Sequence, residues 1–211
     1  MMENMAYRCL TEVCEELLAK KEELNELDAV MGDGEHGSNI ERTFGQVKQQ
    51  LPEMEGLTEV QMIDKTGAIL LAAGGGTATT LMGFACKKTS ILLKNAENLN
   101  EKELAEVMKK VQESIKSKSK AEVGDKTLMD AYIPAVEAFG KAAENSGNIE
   151  QCFVKAAEAA GKGVEATKDM IAKRGRGYYV GERGLGVCDP GATSVATIFH
   201  AIAKVLTGGE A

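Results

Sequence analysis

Residues 27–44, "LDAVMGDGEHGSNIERTF", decide how the rest of the chain is read. Before them, Leu10, Val13, Leu17, Leu18 and Leu24 recur at helical spacing with charged residues between; after them, Ile40, Phe44, Val47 and Leu51 do the same. The first stripe predicts a helix over 5–26 that runs into the quoted stretch, and the second a helix from Asn39 to near Pro52. Between them Gly32 and Gly34 interrupt the period and let the backbone turn. Two one-sided helices joined by a short acidic break fit an all-α fold, and the chain shows no internal repeat.

Working outward, the spacing predicts helices over 59–73, over 78–94 after the interruption "AAGGGTATT" at 72–80, over 149–172 and over 191–207. "NLNEKELAEVMKKVQESI" at 98–115 carries a capping box, Asn100 with Glu103, and its helix should end near Ser117. A further helix over 126–145 contains Pro134, which marks either a kink or an early boundary. That makes about eight helices. Aromatics are 4% of the 211 residues and Trp is absent, which suits helices better than a β-core. The length fits one domain, residues 1–211. If antiparallel helices alternate up and down, the loops at 32–37, 74–76, 117–125 and 173–191 gather at one end.

The net charge of −7 argues against a general nucleic-acid binder. Five cysteines, an odd number without close pairing, read as reduced and mostly buried thiols. There is neither a leader pattern nor an apolar run of membrane-spanning length, so the reading is a cytoplasmic protein with no membrane span.

Asp28, Asp33 and Glu35, arranged around Gly32 and Gly34, are hard oxygen donors of the kind Mg²⁺ takes. A solvated acidic loop is the plain alternative. An EF-hand is excluded, because the twelfth position from Asp33 is Phe44. "HGSN" at 36–39 should open the next helix, whose free N–H groups suit an anion, although His36 alone reads equally well as a hydrogen-bonded loop residue. "GGGTATT" at 74–80 is a glycine loop without the Lys of a Walker loop. In "GDKTLMD" at 124–130, Asp125 reads as a helix cap with Lys126 nearby. "KRGRGYYVGERGLGVCDPGA" at 173–192 sets Lys173, Arg174, Arg176 and Arg183 among glycines, and places Asp189 and Pro190 at the cap and first turn of the last helix. His200, in an apolar helix, reads as structural. Together these residues indicate nucleotide binding or phosphoryl transfer.

The ordered motifs "GDGEHG", "GGTATTLMG", "GDKTLMDAYIPA" and "GRGYYVGERGLGVCDPGA" resemble the L subunit of dihydroxyacetone kinase and the nucleotide-binding domain of the single-chain kinases of that family, over nearly the whole chain. The resemblance implies an eight-helix antiparallel barrel with ADP or ATP and two Mg²⁺ ions at one end. It puts metal ligands on Asp28, Asp33 and Glu35, and nucleotide contacts on His36, Gly37, Ser38, Asn39, Thr77, Ala78, Ser119, Leu128, Arg176, Asp189, Pro190 and Gly191, with Arg176 best placed to stabilise transferring charge. It also implies partners: a K subunit holding dihydroxyacetone or a related ketose, and a phosphodonor protein of the phosphotransferase system, of the M subunit type. A homodimer is compatible with it.

The chain departs from the family pattern at several places. Glu35 replaces an aspartate, Ala78, Thr79 and Thr80 replace a Ser-Gly-Pro stretch, Ser119 stands where glycine is common, and Gly184 and Val187 replace a serine and a histidine. Two further readings therefore stay open, a subunit that exchanges ATP for another ketose and a non-catalytic regulatory or scaffold homologue.

Overall fold

The computed structural model describes residues 5–94, 99–145 and 147–209. Among them lie nine α-helices and no strand: α1 (Met5–Ala19), α2 (Lys21–Met31), α3 (His36–Gln50), α4 (Glu59–Ala73), α5 (Gly76–Leu93), α6 (Glu101–Ser119), α7 (Met129–Glu144), α8 (Ile149–Ala166) and α9 (Pro190–Leu206). Eight of them form a ring in chain order, α1, then α3 through α9, each packed on the next. The last helix packs back on the first, where Lys204 Nζ on α9 lies 2.6 Å from Glu12 and 2.7 Å from Glu16 on α1.

The ninth helix comes from splitting the first predicted one. Lys20 leaves helical geometry (φ −88°, ψ 9°), and α2 then packs on α3 and α9. The run Ala19–Glu23 is charged and offers no large apolar side chain to hold a continuous helix on the core. As a result α2 continues to Met31, and Asp28 sits on a helix instead of in the break.

The capping box at Asn100 forms as predicted, with the Asn100 side chain accepting from Glu103 N–H at 3.0 Å. The predicted end points shift by a few residues: α6 runs to Ser119, α7 begins at Met129, and α8 stops at Ala166 before a 3₁₀ turn, Thr167–Asp169. Pro134 is neither a start nor an end but lies inside α7. Having no N–H, it cannot reach the Asp130 carbonyl four residues back. There α8 comes so close that a Cβ on Gly163 would lie 2.1 Å from Asp130 O.

The core is aliphatic, built from fully buried Leu17, Ile40, Leu70, Val111 and Met129, with Phe139 set edge-on to Phe153 at 5.1 Å. All five cysteines are free; Cys14, Cys152 and Cys188 are buried and Cys9 and Cys86 partly so. His200, expected to be structural, is instead exposed on α9. Among the described residues no helix is long and apolar enough to cross a membrane.

Candidate functional site

Lys21, Asn25 and Asp28 share one face of α2, and the first turn of α3 docks on it. Asp28 Oδ2 accepts from Glu35 N–H at 2.9 Å and from His36 N–H at 3.1 Å. Asn25 Oδ1 accepts from Ser38 N–H at 3.0 Å. Gly37 has no room for a side chain, since a Cβ would fall 1.9 Å from Lys21 O. Three N–H groups at this helix start are thus already satisfied by α2, leaving it less free for an anion than its sequence suggests.

Beside this junction lies a cavity of about 290 Å³ at the end of the ring where the loops gather. Asp28, Asp33, His36, Asn39, Thr77, Ala78, Ser119, Leu128, Arg176, Asp189, Pro190 and Gly191 all line it, drawn together from four separate stretches of chain. Gly37 and Ser38 pack against α2 and are not among the lining residues, and neither is Glu35, which is exposed. Among the described residues no three His, Cys, Asp or Glu side chains are clustered as a metal site.

The polar groups in and around the cavity are individually held. Arg176 pairs with Asp33. His36 is buried, and burial pushes its pKa down to about 4, so the ring is neutral near pH 7. Its Nε2 meets Ser194 Oγ at 2.9 Å, while that hydroxyl donates to Pro190 O at 3.1 Å. The serine proton is therefore committed, and Nε2–H is the donor to Ser194. Asp189 caps α9, accepting from Ala192 N–H at 2.7 Å, and burial pushes its carboxyl up to about 7, with the Asp130 and Asp28 charges adding to the effect. The Thr80 and Thr79 hydroxyls turn back to Gly76 O at 2.7 and 3.2 Å, which leaves Thr77 as the hydroxyl of "TATT" at the cavity. Arg42 Nη2 donates to Asn39 Oδ1 at 2.6 Å and to Gly74 O at 2.5 Å, tying α3 to the glycine loop.

The "GDKT" turn is organised differently from its sequence reading. Asp125 is not the cap of α7; it accepts from Glu122 N–H at 3.1 Å and faces Lys173 and Arg174, each at 3.6 Å. Asp130 does the holding, accepting from Gly124 N–H at 2.6 Å and from Thr127 N–H at 2.7 Å. Lys126 and Thr127, not singled out from sequence as site residues, also line the cavity, as do Met31, Met129 and Arg174. The signal for Lys126 was its place in a quoted motif, yet its contacts lie 44 and 58 residues away.

A helical ring that draws carboxylates, a guanidinium and a hydroxyl around one end cavity is a domain built to hold a small, highly polar ligand. The DAK2 domain family model matches residues 30–204, and the chain belongs to that family. It is 32% identical over 184 residues to the ADP-binding subunit DhaL of the PEP-dependent dihydroxyacetone kinase of Escherichia coli (strain K12), covering 87% of this chain and 88% of that one. It is 34% identical over 191 residues to the corresponding DhaL subunit of kinase 2 of Listeria innocua serovar 6a, covering 89% and 87%. The dihydroxyacetone kinase of C. freundii, solved in complex with AMP-PNP and Mg²⁺, shares the fold with a TM-score of 0.74 at 23% identity. That match covers 97% of this chain, which spans 35% of the larger enzyme.

Proposed function

We propose that this chain is the nucleotide-binding phosphotransferase subunit of a dihydroxyacetone-type kinase, acting as one domain in the cytoplasm. It holds ADP or ATP with Mg²⁺ in the end cavity and passes the phosphoryl group to a small ketone on a separate K subunit. A phosphoprotein of the phosphotransferase system recharges the ADP. The observation that carries this reading is the convergence of Asp28, Asp33, Asn39, Thr77, Arg176 and Asp189 on one cavity in a chain so similar to ADP-binding subunits.

The residues present fit Mg²⁺. Asp28 and Asp33 bring hard oxygens to the cavity wall, and Glu35 stands on the same turn. These carboxylates would hold one ion or two. When bound, Mg²⁺ neutralises phosphate oxygens and so eases loose phosphoryl transfer. The protein positions the rest. Neutral His36 is fixed by Ser194 as part of the wall, the Asn39 amide is oriented by Arg42, and Thr77 presents a hydroxyl. Arg176 supplies a guanidinium whose planar donors match phosphate oxygens, which makes it the residue that stabilises the transferring charge. Gly37 and Ser38 serve by seating α3 on α2.

Calorimetric titration of the purified chain with ADP, with and without Mg²⁺, tests the reading. Tight binding that requires Mg²⁺ is expected, and Asp33→Ala should weaken it at least 100-fold while helicity by circular dichroism is retained. Unchanged ADP affinity in that variant would remove Asp33 from the metal site, and no Mg²⁺-dependent binding by the parent chain would overturn the proposal itself.

A further inference from the structure

The segment 170–184 carries Arg174 and Arg176, yet contains no α-helix, only the 3₁₀ turns Arg176–Tyr179 and Gly181–Gly184. Most of its surface faces solvent, with Tyr178 59% and Tyr179 84% exposed, and its buried members, Ala172, Gly177 and Gly184, are small. Packing of this kind does little to order a loop that must aim a guanidinium. At its two ends lie the carbonyls of Met170 and Gly184, and a single ammonium receives both: Lys126 Nζ donates to Gly184 O at 2.6 Å and to Met170 O at 3.2 Å.

We propose that Lys126 is a positioning residue for phosphoryl transfer, an internal clamp that closes the ends of segment 170–184 and so presents Arg176 to the cavity. Three observations converge on it. Lys126 is 2% exposed, a burial that lysine seldom accepts and that apolar packing alone would assign to methionine. Its backbone is left-handed at φ 58°, a conformation that disfavours side chains other than glycine and that the surrounding structure must impose. The turn that carries it is itself fixed to the same segment, since Lys173 N–H donates to Asp125 O at 3.0 Å and the Asp125 carboxylate faces Lys173 and Arg174. Charge-assisted bonds to both carbonyls replace what water would otherwise supply to the buried ammonium.

The catalytic half of this inference rests on the nucleotide reading above, and the clamp itself does not. Two measurements separate them. The first is trypsin cleavage after Arg174 and Arg176 in the native chain, followed by mass spectrometry. The second is Mg²⁺-ADP affinity in Lys126→Met, Arg176→Met and the double variant. The clamp predicts cleavage at least 10-fold faster in Lys126→Met with an unfolding temperature within a few degrees of the parent. It also predicts an ADP affinity reduced to that of Arg176→Met and no further loss in the double variant. Unchanged cleavage overturns the clamp, and additive losses in the double variant overturn its action through Arg176. Should Lys126→Met not fold, Lys126→Gln keeps one N–H donor set and must show intermediate cleavage; parent-like cleavage there refutes the inference. If the parent chain binds no ADP, the nucleotide reading fails while the cleavage rates still decide the clamp.

Discussion

At Asp189 two demands meet in one carboxyl. As the cap of α9 it is needed for the Ala192 N–H, and as a partly buried group near Asp130 and Asp28 it is disfavoured in its charged form. Its pKa of about 7 lies above the unfolded value of roughly 3.9, so between about pH 4 and pH 7 the native state holds a proton the unfolded chain has released. Stability from this group is therefore present at low pH and lost as pH rises through 7. His36 has the opposite sense: its pKa of about 4 lies below the unfolded value of roughly 6.5, so its contribution is lost as pH falls between them. The parent must accordingly be compared with Asp189→Asn, which keeps a capping oxygen and cannot titrate. In metal-free, nucleotide-free buffer the variant should match the parent near pH 4 and exceed it above pH 7 by up to about 4 kcal/mol, three pH units at about 1.4 kcal/mol each. A difference in melting temperature that does not grow with pH would refute the charge assignment.

Between elements, the most extensive junction is α7 on α8, and a glycine sets its spacing. A Cβ on Gly163 would strike Asp130 O at 2.1 Å and Ala131 Cα at 3.1 Å, all backbone and unable to move aside, whereas Gly161, two residues earlier on α8, has nothing within 4 Å. Gly163→Ala should therefore destabilise by about 3 kcal/mol or more through forced separation of the helices. Gly161→Ala should be neutral or stabilise by up to about 1 kcal/mol, the helix-propensity difference. Equal unfolding midpoints for the two variants in urea would contradict this packing. Asp130 also holds the Lys126 turn, so Gly163→Ala should reach the cavity as well. The same junction shows what sequence could reveal. The capping box at Asn100 and the Asp189-Pro190 start of α9 were legible because each is made within four residues. The break at Lys20 shows in the sequence only as the charged run Ala19–Glu23, which the helical period spans, and Asp125 and Asp130 both stand close enough to hold the turn that Asp130 takes. Pro134 sits inside α7 in the stretch where α8 approaches Asp130 O. Of the residues at the cavity, Asp28, Asp33 and the basic stretch holding Arg176 were legible by chemistry, whereas Asp189 read locally only as a helix cap and Glu35, read with the two aspartates, stays outside the lining. The docking of Gly37 and Ser38 on α2, and the pairing of His36 with Ser194 across 158 residues, required the packed fold.

On the scale of the whole molecule, the ring gathers the cavity and the loops that line it at one end. Because the helices alternate, the connections after α2, α4, α6 and α8 meet around the cavity, while the turns between α3 and α4 and between α7 and α8 lie at the far end. None of the four converging connections has a core of its own; each is fixed by a few polar contacts such as Arg42 to Gly74 O, Asp130 to Gly124 N–H and Lys126 to Gly184 O. Such segments open at lower free energy than the helices that carry them. A ligand that binds only when all four are in place draws its stabilisation from closing them together, and at a concentration 100 times Kd this linkage is worth about 2.7 kcal/mol. Hydrogen exchange with and without Mg²⁺-ADP should therefore show slowed amides in 32–39, 74–81, 119–129 and 171–191 at once, with the turns at 51–58 and 147–149 unchanged. Protection confined to one of the four segments would mean that the nucleotide is held by a single loop, and protection spread evenly over both ends would mean that it acts only by suppressing global unfolding. Only the four-segment pattern agrees with a site assembled by closure of the ring.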